Sequence, residues 1–292
     1  MGDVLAGFHA AWEFESDSVL IRFERGIRTP KLLQALGERR IPLEAIAAVA
    51  LTPGKRGTVV LHAVPRPGAD PLMDAAAGQL KEGSDPYRLV LPAERETLGE
   101  YYADELRERL TDHEGVRPES YLVAAPEPPR QFKAYDGKAS FDGTSVAFRW
   151  FWTGASSAKW KAGDKTFPIA DLSGVEWRSP ELFEGHLRLL PREAAGEQPG
   201  QADQDPAAVV FGLGYGPVHE SLPFAASVLA AVRASGPAPP QASTLCADST
   251  AAARRDPADI ADRIRHLGEL HQAGLVTDAE FTTKKAELLA QL

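Results

Sequence analysis

A nine-residue segment recurs roughly half a chain later, and this repetition limits the fold more than any other feature of the sequence. Residues 41–49 read IPLEAIAAV and residues 167–175 read FPIADLSGV, with proline second and valine last in both. Apolar residues also share the first, third and sixth places. The match predicts a duplicated protein in which the two halves fold in the same way.

The residues before this segment repeat as well, and they alternate as the strands of a hairpin do. In the first half Trp12 and Phe14 precede a turn, after which Val19, Ile21 and Phe23 alternate with their neighbours. This period of two is typical of antiparallel strands. The second half has equivalents at one constant offset, with Arg149 matching Arg22: Phe141, Val146, Phe148 and Trp150.

Each half continues with two more strand-like segments and closes with an amphipathic helix. The strands are predicted at 57–64 and 85–91, and again at 185–190 and 205–211. The helices have apolar residues at helical spacing: Leu98, Tyr102, Leu106 and Leu110 in the first half, and Leu222, Ala225, Leu229 and Val232 in the second. Ser221 is the predicted N-cap of the second helix.

This order of elements predicts an α+β fold that is mostly β. Short antiparallel strands followed by one helix can be buried as a strongly bent sheet or partly open barrel, with the helix covering one end. That is the plan of pleckstrin-homology-like domains, here in tandem. Ferredoxin-like and other α+β arrangements are the alternative, and they fit less well because no helix is predicted between the early strands.

Proline-rich and polar stretches divide the chain into five parts. We predict a first repeat at 1–117, a proline-rich linker at 118–130, a second repeat at 131–234, a disordered linker at 235–256 and a two-helix hairpin at 257–292. Within the first repeat, the long loop 65–84 is predicted to contain a short helix at 72–77.

The hairpin is marked by two helical apolar faces, a glycine stop at Gly274 and a capping box at 277–280. Its size of about thirty residues is below the roughly 40 that usually fold without a metal, disulfide or partner. We therefore expect homo-oligomerisation through its apolar residues: Ile260, Ile264, Leu267, Leu270, Leu275, Phe281 and Leu288. The alternative is that the hairpin packs back on its own repeats.

Charge and apolar runs indicate a cytoplasmic protein. The formal charge of −9 gives no general attraction to nucleic acid or anionic lipid. Residues 1–8 lack the charged lead and long apolar run of a signal peptide, and the run at 222–232 is too short to span a bilayer. The one cysteine, Cys246, falls in the predicted linker and can form no intramolecular disulfide.

Several of these segments resemble known families. Residues 12–14, 41–49, 69–72 and 85–89 are similar to an uncharacterised actinobacterial family, a tandem domain of unknown function with pleckstrin-homology-like structure. Residues 260–284 resemble the short C-terminal, or SHOCT, domain. The resemblance implies that the tail mediates oligomerisation, and it carries no catalytic residue, because no activity is established for the family.

No catalytic, metal or cofactor motif stands out. Residues 212–216 read GLGYG, which lacks the spacing of a dinucleotide loop, and a strand-to-helix turn is the better interpretation. The seven histidines are scattered, and the carboxylates of 100–108 form a solvated helix stripe. We expect no enzyme activity and no cofactor.

Two surface features could bind a partner. The first repeat concentrates basic residues in its early strands and loops: Arg22, Arg25, Arg28, Lys31, Lys55 and Arg56, with Arg39 and Arg40 between them. An anion or membrane surface would bind here, although interleaved acids fit an ordinary charged surface too. In the second repeat Trp150 and Trp152 are predicted to share a core-facing strand. Trp160 lies in a predicted loop between two lysines, where it would anchor a partner or fold back over a hydrophobic edge.

These features favour a non-enzymatic cytosolic scaffold, in which two interaction domains are oligomerised by the C-terminal hairpin and bind an unidentified protein partner. The alternative is a recruitment module that binds an anionic headgroup or phosphate ligand through the basic patch of the first repeat.

Overall fold

The computed structural model describes residues 3–110, 116–182, 184–193 and 200–236. The chain divides into two compact units, Met1–Pro240 and Gln241–Leu292. The second unit, which includes the predicted hairpin, lies outside the described residues. The fold is therefore described for the first unit, which holds both repeats.

In the described residues, the first repeat contains seven strands and ends with a helix. Its elements run in this order: β1 (Asp3–Ala6), β2 (Ala10–Phe14), β3 (Ser18–Phe23), α1 (Lys31–Leu36), β4 (Glu38–Pro42), β5 (Ile46–Pro53), β6 (Thr58–Pro65), α2 (Pro71–Ala76), β7 (Arg88–Pro92) and α3 (Glu96–Arg109). The short helix predicted in the long loop is α2, which Asp70 caps by accepting a hydrogen bond from Leu72 N–H.

The second repeat follows the same order, without a counterpart of α2 in the described residues. Its elements are β8 (Arg130–Lys133), β9 (Gly137–Phe141), β10 (Ser145–Trp150), α4 (Ser157–Ala162), β11 (Lys165–Pro168), β12 (Leu172–Arg178), β13 (His186–Pro191), β14 (Ala208–Val210) and α5 (Val218–Ser235).

Each repeat contains a four-stranded and a three-stranded antiparallel sheet. In the first repeat the orders are β1-β2-β3-β4 and β5-β6-β7, and in the second β11-β10-β9-β8 and β12-β13-β14. The predicted hairpins have the same register, since Phe14 pairs with Val19 and Phe141 with Val146. The predicted fold class, mostly β with two repeated domains, is confirmed, and the described sheets stay open.

The recurring nine-residue segment is the corner between the two sheets of each repeat. Its proline ends β4 or β11, and a three-residue 3-10 turn then leads into β5 or β12. In the first repeat Leu43 N–H donates to the carbonyl of Asp17 at 2.9 Å, and in the second Ile169 N–H donates to that of Thr144 at 2.9 Å. The segment recurs because both corners are built in the same way.

A short helix lies between the third and fourth strands of both repeats, so the prediction of no helix there was wrong. Helix α1 buries Leu32 and Leu33 and ends at Gly37, whose φ of 66° suits glycine. Helix α4 begins after Ser156, whose side chain accepts from the N–H of Lys159. Six residues make fewer than two helical turns, too few for the helical period to stand out.

Helix α5 begins earlier than predicted, after Pro217 and without a side-chain cap. Ser221, the predicted N-cap, is buried inside the helix. Its hydroxyl donates to the carbonyl of Gly216 at 2.9 Å and accepts from Trp177 Nε1 at 3.0 Å. Pro217 already has the extended backbone of a cap residue, with ψ 150°, so the helix starts there.

The two repeats share a hydrophobic core at α5. Helices α1 and α2 of the first repeat both pack against this helix of the second. Their buried residues join the cluster of the second repeat: Leu32, Leu72, Ala75 and Ala76 from the first, with Phe132, Leu222, Phe224 and Val228 among their neighbours. The repeats are therefore halves of one unit.

Polar contacts reinforce this junction. The side-chain amide of Gln79 donates to the carbonyl of Trp177 at 3.1 Å, and its oxygen accepts from the N–H of Ser179 at 2.9 Å. The proline-rich linker also takes part, because Val123 is 2% exposed in the core of the first repeat. Further along, Ser227 Oγ donates to the carbonyl of Pro126 at 2.7 Å.

Candidate functional site

The turns and loops at one end of the first repeat are bonded to one another. The N–H of Glu24 donates to the carbonyl of His9 at 2.9 Å, and Thr29 Oγ1 lies 3.2 Å from His9 Nδ1. The N–H of Phe8 donates to the carbonyl of Val90 at 2.7 Å, which adds β7. We call residues 7–9 and 24–31 the loop end of the first repeat.

A β-turn at the loop end points one apolar side chain into solvent. Thr29 N–H donates to the carbonyl of Gly26 at 3.0 Å, and the amide of Gln34 donates to the carbonyls of Gly26 at 3.0 Å and Thr29 at 2.7 Å. Ile27 and Arg28 occupy the tip of this turn, and Ile27 is 106% exposed. The sequence prediction missed Ile27, because a single apolar residue in a loop gives no periodic signal.

Three of the predicted basic residues surround this tip. Arg25, Arg28 and Lys31 are exposed, and none of them forms an ion pair within the described ranges. Glu24 is the exposed carboxylate among them. The loop end therefore has an excess of positive charge around an apolar tip.

Lys55 and Arg56 lie in the exposed turn between β5 and β6. The carbonyl of Gly57 in this turn accepts from the N–H of Ala93 at 3.2 Å, just after β7. Strand β7 thus connects this turn with the loop end, which it contacts through Val90. These two cations are also free of ion pairs among the residues that the structure describes.

The other predicted cations are paired with carboxylates on the first sheet. Arg22 donates to Glu13 at 2.5 Å and to Glu38 at 3.2 Å. The hydrogen bond to Glu13 is the main cause that raises the pKa of Arg22 above its ordinary value. Arg40 contacts Glu15. Arg22 and Arg40 therefore do not belong to the free cations around the loop end.

Arg39 is buried in a polar network that fixes α2. Its guanidinium donates to both carboxylate oxygens of Asp70 at 2.9 Å, and Tyr87 Oη donates to Asp70 at 2.8 Å. Burial, followed by the charge of Asp70, raises the pKa of Tyr87 well above its ordinary value. Burial disfavours the charged form of Arg39 and by itself would lower the pKa of its guanidinium. The electrostatic effects of Asp70 and Tyr87 outweigh burial, so the pKa of Arg39 is raised. This network links β4, the start of α2 and the residue before β7.

The equivalent end of the second repeat is built around a buried ion pair. Lys159 Nζ lies 2.5 Å from Asp136 Oδ2, donates to the carbonyl of Ala208 at 2.8 Å and lies 5.0 Å from the centre of the Trp150 ring. Asp136 also accepts from the N–H of Val210 at 2.9 Å. With Lys159 fully buried, this pair is a structural link between α4, the β8–β9 turn and β14.

Two tryptophans of the second repeat are exposed. Trp150 is buried as predicted, but Trp152 is 82% exposed, so its predicted place in the core was wrong. Strand β10 ends at Trp150, and the chain then turns away, with Gly154 N–H donating to the carbonyl of Phe151. Trp160 is 55% exposed, on helix α4 and not in a loop.

The sequence model of a family described as a domain of unknown function (DUF4429) matches residues 12–107 and 139–229. The chain belongs to the DUF4429 family. A second family model, described as the short C-terminal domain (SHOCT), matches residues 262–289. The two matches confirm the predicted tandem domain of unknown function and the predicted SHOCT tail. A comparison with curated proteins gives no match.

The clefts in the described part of the DUF4429 pair include the following two. One, of ≈ 410 Å³, is lined by Phe132, Lys133, Lys138, Tyr215 and Glu220 with their neighbours. The other, of ≈ 160 Å³, lies where β4, the linker and α5 meet, and includes Arg39, Arg40 and Arg130. Within the described part of the chain, neither lining includes a serine, cysteine or histidine.

The described residues contain neither a metal cluster nor a membrane-spanning helix. No group of three or more His, Cys, Asp or Glu there is placed to hold a metal ion. No helix in those ranges has both the length and the apolar character needed to cross a bilayer.

The predicted oligomerisation residues lie in the SHOCT match or, for Ile260, just before it, and all are outside the described residues. These are Ile260, Ile264, Leu267, Leu270, Leu275, Phe281 and Leu288. Their role stays a prediction from the sequence.

Proposed function

We propose that this DUF4429 protein is a non-enzymatic, cytosolic scaffold. Its two repeats would be pleckstrin-homology-like interaction domains, and its C-terminal hairpin would gather several copies. One observation carries the proposal: the chain joins two DUF4429 repeats to a short SHOCT tail. A tail of that size is too short to fold unless it packs against another protein surface.

The order of elements supports pleckstrin-homology-like repeats. Each repeat has a four-stranded sheet, then a three-stranded sheet, then a closing helix. In such a plan the loops at the sheet ends are free to contact partners, because the helix and the strand ladders supply the stability.

Exposed aromatic and apolar side chains of the second repeat suit a protein partner. Trp152 and Trp160 are 82% and 55% exposed, and Leu213 and Tyr215, in the loop before α5, are 67% and 43% exposed. Tryptophan and tyrosine are enriched among the residues that dominate interface energetics. Joining several copies would turn weak contacts of this kind into avid binding.

Light scattering of the full-length chain and of a chain ending before Asp256 tests the assembly. One chain has a mass of 31.5 kDa. We expect a multiple of this mass for the full-length protein and the mass of one chain after truncation. Leu267→Asp should act like the truncation, and Leu213→Asp, at an exposed position of the second repeat, should leave the mass unchanged. Equal masses with and without the tail would overturn the proposed oligomeriser.

A second candidate function is recruitment to an anionic headgroup or phosphate ligand. The observation that favours it is the free cations of the first repeat: Arg25, Arg28 and Lys31 around the loop end, and Lys55 and Arg56 in the adjoining turn. Free cations keep their full charge for a ligand, whereas Arg22 is already neutralised by two carboxylates.

A further inference from the structure

We propose that the loop end of the first repeat docks on a bilayer surface that contains anionic lipid, with Ile27 inserted between the headgroups. This inference rests on the recruitment function and names its target. It gives a role to the exposed isoleucine of the loop end, which a soluble phosphate ligand leaves unexplained.

The loop end holds Ile27 in place in a built turn. The amide of Gln34 bonds both the first and the last carbonyl of the Gly26–Thr29 turn, and Thr29 itself is 4% exposed. Ordering a loop costs conformational entropy, and here the result is an isoleucine that touches solvent on all sides. A preorganised apolar tip loses little further freedom when it binds.

The charges next to this tip complement an anionic surface. Arg25, Arg28 and Lys31 are within four residues of Ile27, and Glu24 is the one exposed acid in the same stretch. The chain as a whole carries −9, so its remaining surface is repelled by anionic lipid. Attraction at the loop end and repulsion elsewhere would orient the protein with Ile27 toward the bilayer.

The apolar part distinguishes a bilayer from a soluble anion. Transfer of an isoleucine side chain from water to the acyl boundary is favourable, whereas binding a free phosphate leaves it in water. Phe8, 49% exposed in the β1–β2 turn of the loop end, adds a second apolar side chain. Reversible membrane binding commonly combines an apolar element with cations near anionic headgroups.

Co-sedimentation of the full-length chain with vesicles tests the proposal. The vesicles are phosphatidylcholine alone or phosphatidylcholine mixed with phosphatidylserine. We expect pelleting with the mixed vesicles only, and less of it as salt is added. Ile27→Ser should weaken partitioning roughly tenfold while the cations remain. The double variant Arg25→Glu with Arg28→Glu should weaken it more than tenfold.

Matched controls come from exposed positions of the second repeat. Leu182→Ser removes an exposed apolar side chain, and Lys161→Glu with Arg178→Glu changes the net charge by the same amount as the loop-end double variant. Both controls should pellet like the unmodified protein. Circular dichroism and the light-scattering mass are recorded for every variant, so that a lost fold or lost assembly is recognised separately from lost docking.

The outcomes separate this inference from the recruitment function. If Ile27→Ser pellets like the unmodified chain and soluble glycerophosphoserine competes fully, recruitment to an anion stands and bilayer docking is overturned. Pelleting that is equal with both vesicle types, or equal between the loop-end variants and their controls, overturns both. A tenfold loss for Ile27→Ser with unchanged controls supports the docking.

Discussion

Lys159 lies inside the second repeat with its Nζ 2.5 Å from Asp136 Oδ2, at the positions where the first repeat has Leu33 and His9. Burial lowers the pKa of Lys159 and raises that of Asp136, while their mutual attraction opposes both shifts. Since each charge is the main partner of the other, removing one leaves the other stranded in the interior.

Lys159→Met should therefore lower the free energy of unfolding by about 3–5 kcal/mol, because Asp136 loses its counter-charge. Adding Asp136→Asn should restore a large part of this loss, since the amide oxygen can still accept from Val210 N–H. Chemical denaturation measures both. Lys161→Met, on the exposed side of α4, is the control. A double variant no more stable than Lys159→Met alone would contradict this account.

The buried carboxylate of Asp70 should be equally sensitive. It accepts from Arg39 twice and from Tyr87, and it caps α2 through Leu72 N–H. Asp70→Ala should cost about 3–5 kcal/mol in thermal or urea unfolding, because the Arg39 guanidinium remains buried without an anion. Asp104→Ala, which removes an exposed pair with Arg107, should cost at most about 1 kcal/mol. Similar losses for the two variants would argue against the network.

Gln79 should be the most informative single contact between the repeats. Its loss leaves the carbonyl of Trp177 and the N–H of Ser179 without their hydrogen bonds, and Ser179 is 1% exposed. Gln79→Ala is expected to lower stability by about 1–3 kcal/mol in urea unfolding. Gln131→Ala, at an exposed position of β8, is the matched control and should change the midpoint little. If Gln79→Ala changes the midpoint no more than Gln131→Ala does, these two hydrogen bonds do not stabilise the junction between the repeats.

Acid should weaken the β9–β10 turn. The carboxylate of Asp142 accepts from Thr144 N–H and Ser145 N–H, both at 2.8 Å, and from their hydroxyls. These bonds, that of Thr144 N–H foremost, hold the pKa of Asp142 well below its usual range.

A depressed carboxyl pKa stabilises the fold above the unfolded value of 3.8, and this contribution is lost as the pH falls through the folded value. We expect carboxyl NMR to find Asp142 still ionised at pH 3.8 in the folded protein. The acid limb of the stability curve should become shallower in Asp142→Asn. A carboxyl that is half protonated at the ordinary value would refute the prediction.

The duplicated fold could be predicted because its signals are local. Alternation in strands such as Val19 to Phe23, and the recurring corner proline, depend on neighbours in sequence. The short helices α1 and α4 were not predicted, because six residues are too few to show a helical period. The exposure of Trp152 was not predicted for a related reason. The alternating pattern of β10 continues in the sequence beyond Trp150, where the strand ends.

Which charged side chains form ion pairs could not be predicted, because the partners are distant in the chain. Arg39 and Asp70 are 31 residues apart, and Arg22 and Glu38 are 16 apart. The sequence identifies a basic cluster, but only the fold separates the free cations Arg25 and Arg28 from those already neutralised. Lys159 is the extreme case, since lysine is almost never fully buried unless it is paired.

The way α5 lies against both repeats bears on how such a protein can evolve. A gene fragment that carried only the first copy would encode a domain with the bare methyl groups of α1 and α2 facing water, where they would invite aggregation. Because the two repeats share this core, neither could be moved alone into another gene by rearrangement and keep its fold. Selection would then act on the two repeats together as one heritable unit, whereas the loops of each repeat would remain free to diverge.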